Sequence, residues 1–487
     1  MKAAATADRT GPGMLPGAEV EEAQKLMERR AGMTRRGFIG AAGIGTVAAA
    51  ASGCGVLPDG TIEGFVPATS KHTRIRLSVW GDVSDAAIYE KILNAWHQSQ
   101  DTYRAKAEQY TGDYYAKVLA NFAGGIPADV MYIQGWMWQP YAESRVLHPL
   151  DEFIERDGVR ERWPNIENFT WNTRWKNQTY MAPVDGGSLV MYYNKDLFDK
   201  RRVPYPRPGW TWEEFQQMVP ELTFTEGGKK YYGWAQAGGF LGAYGRAVPF
   251  MRRNGEVEWD RVVEPTKAMW NQPDIVSALQ FTLCDAISKG WSPGPSAIQG
   301  GGISFATGRV AMVLEGPWYL PNLYGPLATT KAGINYDVVP PPAGTGGGNY
   351  SYAHIHGHVM AAQSTHKEGA WELIKFITGD VGQRIIAEGA RMCATPTNVE
   401  RIWAPIAGRD FRFHNTDAFV VSQREGTTPL VMGEGSPINA YGGEPLDSMW
   451  TALQSGQRSA AEIVEQYQPA LQRVLDRYWA EREPSGN

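Results

Sequence analysis

The sequence predicts an α/β protein with more than one domain. At 487 residues the chain is longer than one hydrophobic core usually serves. Its 43% apolar and 20% charged residues are the ordinary balance of a globular protein. Short runs of period-two alternation are followed by longer runs at helical spacing, which argues for layers of helix on largely parallel sheet.

The first 53 residues stand apart from that pattern. A polar stretch ends in Thr34-Arg35-Arg36-Gly37-Phe38-Ile39-Gly40, and a small apolar run from Ala41 to Ala51 follows. A charged region ahead of an apolar run too short and too Ala/Gly-rich to span a bilayer reads as an export signal over residues 1–53. The arginine pair resembles a twin-arginine motif. Ala51-Ser52-Gly53-Cys54 resembles a lipobox, with Cys54 as the lipid-anchored first mature residue; Ala51 stands where Leu is typical, so plain cleavage after the Ala run is the alternative. Removing this segment takes away seven basic and five acidic side chains, so a net charge of −5 becomes −7. No basic stripe is present, which argues against a nucleic-acid partner. Beyond Cys54 only Cys284 and Cys393 occur, too few for a disulfide framework and without metal-ligand spacing.

Residues 54–72, rich in Gly, Pro, Thr and Ser, read as a tether. The alternation from Arg74 to Trp80 predicts a first strand closed by Gly81-Asp82. Ile88, Ile92, Ala95 and Trp96 predict a helix with Ser84 as its N-cap, and Ala128–Ile133 a second strand. Thr211-Trp212-Glu213-Glu214 is a capping box opening another helix. Ala370, Trp371, Ile374 and Ile377 share one helical face, and Glu462 to Tyr478 forms the last helix. Gly344–Gly348 is a loop ahead of a strand carrying His354, His356 and His358.

Four stretches together carry a resemblance. They are Tyr192-Tyr193-Asn194-Lys195-Asp196-Leu197-Phe198 with Thr211–Phe215; Phe305–Met312 running into Glu315-Gly316-Pro317-Trp318; Ser364–Phe376; and the helical C-terminus after Ser448-Met449-Trp450. Their order and spacing resemble extracellular solute-binding protein family 1, the class that includes the maltose-binding protein, over about residues 73–480. The resemblance implies a type II, two-lobed periplasmic-binding-protein-like fold with a hinged cleft. Lobe 1 would hold residues 73–183 and 358–400, and lobe 2 residues 184–357 and 401–487. Ligands of open α/β sheets bind beyond the carboxyl ends of strands, and a hinge lets two lobes close over them.

The resemblance places the ligand against Trp318, the tryptophan of Gly-Pro-Trp, which stacks on sugar in the family. It also points to Asp82 after the first strand, Gln134, Trp136 and Trp138 after the second, and Asp185 just past the first crossing. Gly239 and Phe240 in a cleft loop and, more weakly, Arg391, Asn439 and Tyr441 complete the set. Flat indoles suit the apolar faces of sugar rings, and Gln and Asp suit paired hydroxyls. The three histidines would share one strand face, a geometry a metal could use, but no Cys, Asp or Glu accompanies them. His356 or His358 reads better as a ligand contact, with a structural role the alternative, and no metal or cofactor is expected.

The implied function is capture of a mono- or oligosaccharide for an ABC importer, without catalysis. The protein would be exported, held at the outer face of the cytoplasmic membrane by its lipid alone, monomeric, and partnered by permease subunits. Two alternatives are a glycerophosphodiester or other polar metabolite on the same fold, and a secreted glycoside hydrolase. The hydrolase needs two carboxylates flanking one bond; Asp82, Asp185 and Glu315 are available, but nothing in the sequence pairs them.

Overall fold

A computed structural model describes residues 72–81, 83–110, 114–236, 240–294, 297, 302–324, 333–345, 351–427 and 443–482. Two large sheets organise these residues. The first, seven-stranded, contains β1 (Thr73–Trp80), β2 (Tyr103–Tyr110), β3 (Val130–Gln134) and β4 (Leu147–His148). After a small hairpin, β5 (Arg174–Trp175) and β6 (Gln178–Thr179), it gains β7 (Met181–Ser188). The second sheet, five-stranded, comprises β8 (Val190–Asn194), β9 (Phe224–Glu226), β10 (Lys229–Ala235), β11 (Val310–Glu315) and β12 (Tyr336–Val339). The chain then returns to the first sheet through β13 (Ala353–Ala361) and β14 (Met392–Cys393). The first sheet runs β14-β7-β13-β3-β1-β2 with β4 also against β13, and the second β12-β8-β11-β10-β9.

The expectation of largely parallel sheets is corrected. Only β1/β2, β1/β3 and β10/β11 pair in parallel among the described strands. The strands that carry the chain between the sheets, β7, β8, β12 and β13, pair antiparallel with their neighbours.

Local sequence explains the elements. Ile75, Leu77 and Val79 are buried on β1 and pack with Ile88, Ile92 and Trp96 of helix Val83–Ser99. That helix starts at Val83, so Ser84 lies in its first turn and not at the N-cap. Asn194 ends β8 and caps helix Lys195–Arg201 by accepting from the Leu197 amide. The capping box at Thr211 forms as expected, the Thr hydroxyl taking the Glu214 amide and the Glu214 carboxylate taking the Thr211 amide at 2.7 Å. A second capping box, Ser459 with Glu462, starts the last helix at Ala460 and carries it to Ala480. No described helix is long and apolar enough to cross a membrane.

Where β7 meets β13 the ladder slips. Asp185 pairs with His356 but Pro183 pairs with Gly357, so a bulge falls at Val184. The lobe boundaries expected at 183/184 and 357/358 lie within these two strands, beside that bulge. Residue 400 lies in a helical turn, Val399–Trp403.

Candidate functional site

The parallel strands of both sheets direct their carboxyl ends toward the segments that join the sheets. In the first sheet Asp185 on β7 faces His356 on β13, which faces Gln134 at the end of β3, a row across three adjacent strands. In the second sheet β11 ends at Glu315, opposite Val190, where β8 begins two residues after β7 ends. The turn Gly316-Pro317-Trp318 follows. It lays the indole of Trp318 against β7: a Cβ at Gly187 would sit 2.4 Å from the ring, so only glycine permits the contact. The imidazole of His354 on β13 lies 5.2 Å away, tilted by 31°. The indole N–H donates to Glu315 Oε2 at 3.0 Å, and the ring remains partly exposed. Glu315 is in turn clasped by Arg246, whose Nε donates to Oε1 at 3.0 Å while Nη2 donates to Oε2.

The row of polar groups is mostly enclosed. Tyr132 donates its hydroxyl to Asp185 Oδ1 at 2.9 Å. Burial raises the Asp185 carboxyl to about 7 against the opposing pull of that hydroxyl and of the Arg391 cation. Gln134 accepts from the Tyr115 hydroxyl at 2.9 Å. His354 and His356 stack at 4.4 Å and meet the edge of Trp136 at 5.3 and 5.2 Å. His358 is sealed deeper, its Nε2 3.1 Å from the Tyr89 hydroxyl. Burial holds His356 and His358 down at about 3 and His354 well below its ordinary value, so all three are neutral at pH 7. No group of three or more His, Cys, Asp or Glu side chains among the described residues is placed to hold a metal ion.

A model of the bacterial extracellular solute-binding proteins matches residues 83–384, more than half the chain. The chain belongs to this family. Solved structures with the same architecture include an ABC substrate-binding protein from Listeria monocytogenes in complex with cycloalternan, at 20% identity and TM-score 0.69, covering 83% of this chain and 99% of that one. The sugar-binding protein MalE from Xanthomonas citri matches at 18% identity and TM-score 0.68, covering 85% and 100%. UgpB from Mycobacterium tuberculosis, in complex with glycerophosphocholine, matches at 19% identity and TM-score 0.66, covering 82% and 98%. These are likenesses of fold, and the fold is two-lobed. A relative from Brucella abortus, named only as a binding protein, is 24% identical over 282 residues, 54% of this chain. The chain spans 61% of the length of the curated relatives it matches.

In this solute-binding protein the expected contacts divide into three groups. Trp318, Asp185, His356, Gln134 and Trp136 gather where the sheets join, although Trp136 is only 6% exposed among Tyr352, His354 and His356. Trp138 is corrected: it is fully buried, packs on Tyr180 and donates its indole N–H to the Asn172 carbonyl at 2.8 Å, so it offers no face to a ligand. Arg391 is tied to Asp85 of helix Val83–Ser99 at 2.8 Å and is not a bare cation. Phe240 begins helix Phe240–Met251. Cys54, Asp82, Gly239, Asn439 and Tyr441 lie outside the described residues, as does the Phe240 side chain.

Two residues, one at this site and one at a neighbouring strand end, were not anticipated. Arg246 is joined to Glu315 across 69 positions of sequence, and no local pattern signals such a pair. Trp80 closes β1 and is 41% exposed, beside its register partner Tyr110 on β2. Its place at the carboxyl end of a parallel strand was the available signal.

Proposed function

We propose that this protein is the capture component of an ABC importer, closing its two lobes over a carbohydrate and releasing it unchanged. The observation that carries the reading is Trp318. Its N–H is taken by Glu315 and its ring lies on the strands joining the sheets, which leaves an apolar indole surface for a sugar ring. Asp185 and Gln134 supply hydrogen bonds to hydroxyls, with His356 and Trp136 behind them. Asp82, Gly239, Phe240, Asn439 and Tyr441 are assigned as further contacts on family resemblance. Among the described residues, Arg246 and Arg391 beside the site are each paired with a carboxylate, which favours a neutral ligand over a phosphate. Glu315, held by Arg246 and Trp318, serves as a prop and not as one of two hydrolytic carboxylates.

In this reading lobe 1 holds residues 73–183 and 358–400 and lobe 2 the remainder. The protein is exported, anchored by lipid at Cys54, and delivers its ligand as a monomer to permease subunits. A ligand that binds only the folded, closed form adds about 2.7 kcal/mol of stability at a hundredfold excess over Kd. A melting screen across maltose-type oligosaccharides and glycerophosphocholine should therefore show a rise in Tm with a sugar. A rise with glycerophosphocholine alone would replace the sugar by a phosphodiester. Reducing ends appearing on prolonged incubation would make the protein a hydrolase.

A further inference from the structure

We infer that Arg246 is a positioning residue for ligand recognition: through Glu315 it fixes the plane in which the Trp318 indole meets a ligand. The inference rests on the reading of Trp318 as the stacking side chain. An indole after a strand end can occupy several staggered rotamers, and stacking affinity depends on which one is held in advance. Three features hold this one. Gly187 and Gly316 leave room for the ring to lie flat, since a Cβ at either would come within 2.4 and 2.2 Å of it. His354 covers one side. The third is the carboxylate of Glu315, whose Oε2 receives the indole N–H.

Without the guanidinium that carboxylate would keep the indole N–H but lose the forked contact that orients it. Arg246 engages both oxygens, Nε to Oε1 and Nη2 to Oε2, and so leaves Oε2 aimed at the indole. Both side chains are largely removed from water, 13% and 8% exposed, where a forked, charge-assisted pair is strongest and most directional. The guanidinium carbon lies 5.9 Å from the Trp318 ring centroid, alongside the indole it steadies. Lysine in its place would offer a point charge and no fork. Arg246 sits on helix Phe240–Met251 and Glu315 at the end of β11, so the plane of the indole is set by a side chain of the second sheet while the ring rests on β7 and β13 of the first.

The test combines a ligand-free signal with a thermodynamic cycle. Arg246→Met is paired with Glu315→Gln so that no buried carboxylate is left alone, and Arg246→Lys serves as a second variant that keeps the charge. In near-ultraviolet circular dichroism of the ligand-free protein, the Trp318 contribution is the difference between wild type and Trp318→Phe. It should shrink in both Arg246 variants. In calorimetric titration with maltotriose, the neutral double variant should lose about tenfold in affinity, with Arg246→Lys between it and wild type. In a Trp318→Ala background the same changes should alter affinity by less than about twofold, because no indole remains to be held. An undiminished dichroic contribution, or an equal loss with and without Trp318, would overturn the inference. If maltotriose does not bind the wild type, the sugar reading fails while the dichroism still decides the role of Arg246.

Discussion

Two arginine–glutamate pairs, their arginines six residues apart in the chain, show how one chemical device serves two ends. Arg252 donates to both oxygens of Glu258, and the pair is 2% and 0% exposed. Its Nη1 donates to the Thr427 hydroxyl at 2.9 Å, and the Tyr244 hydroxyl donates to Glu258. Thr427 pairs with Ser351 and Ala353 through the backbone, so this sealed network pins the segment that leads into β13. Arg246 and Glu315 have the same fork at the border of an open indole face, and there it props a side chain in place of closing an interior. Composition and distance do not separate the two pairs; what each carboxylate's remaining oxygen capacity is given to does.

The sharpest way to break the comparison is to remove one arginine at a time. Arg252→Met leaves Glu258 in the interior without its cation, and should cost roughly 3–5 kcal/mol, read as a lowered urea midpoint, while the folded fraction keeps its affinity. The Arg246 variants should do the reverse, moving affinity more than stability. Equal losses of stability from both would erase the distinction. Tryptophans sharpen it in the same way: Trp138→Ala empties a sealed position and should cost roughly 3–5 kcal/mol of stability.

Protons separate the buried row in two directions. The folded state keeps His354, His356 and His358 neutral, with His356 and His358 near 3 against an ordinary 6.5. Their contribution to stability is therefore complete above about pH 6.5 and is lost as pH falls below it. Asp185 acts oppositely. With its carboxyl raised from 3.8 to about 7, its contribution is complete below about pH 4 and is lost as pH rises toward 7. In thermal melts across pH, His358→Gln should flatten the acid limb, and Asp185→Asn should remove part of the decline between pH 4 and 7. Unchanged slopes in these variants would show that neither group titrates as its surroundings dictate.

The smallest effect is expected at Trp80. With 41% of its surface exposed, Trp80→Ala should leave Tm nearly unchanged, and should weaken only ligands long enough to reach the end of β1, by a few-fold. Equal weakening of a monosaccharide would place Trp80 beside Trp318.

Much of this was legible in the sequence because it is local. The alternation of β1, the Thr211 cap, the helix Lys367–Ile377 and the histidine strand each depend on residues within a few positions of one another. Trp318 was legible through resemblance alone. Which tryptophan stays open was not: Trp136 and Trp138 stand two residues apart, yet Trp138 is covered by Asn172 and Tyr180, tens of positions on, and Trp136 by Tyr352, His354 and His356, more than two hundred positions on. The Arg391–Asp85 pair spans 306 positions and Arg246–Glu315 69, so neither pairing can be read from neighbouring residues.

The central claim is that a neutral sugar is held on the Trp318 face between two closing lobes. Calorimetric titration of wild type and Trp318→Ala with maltose-type oligosaccharides tests it most directly. The account predicts binding by the wild type and a loss of at least about thirtyfold, roughly 2 kcal/mol, in the variant, with Tm in the absence of ligand little changed. Sugar binding of equal strength in both proteins would contradict it.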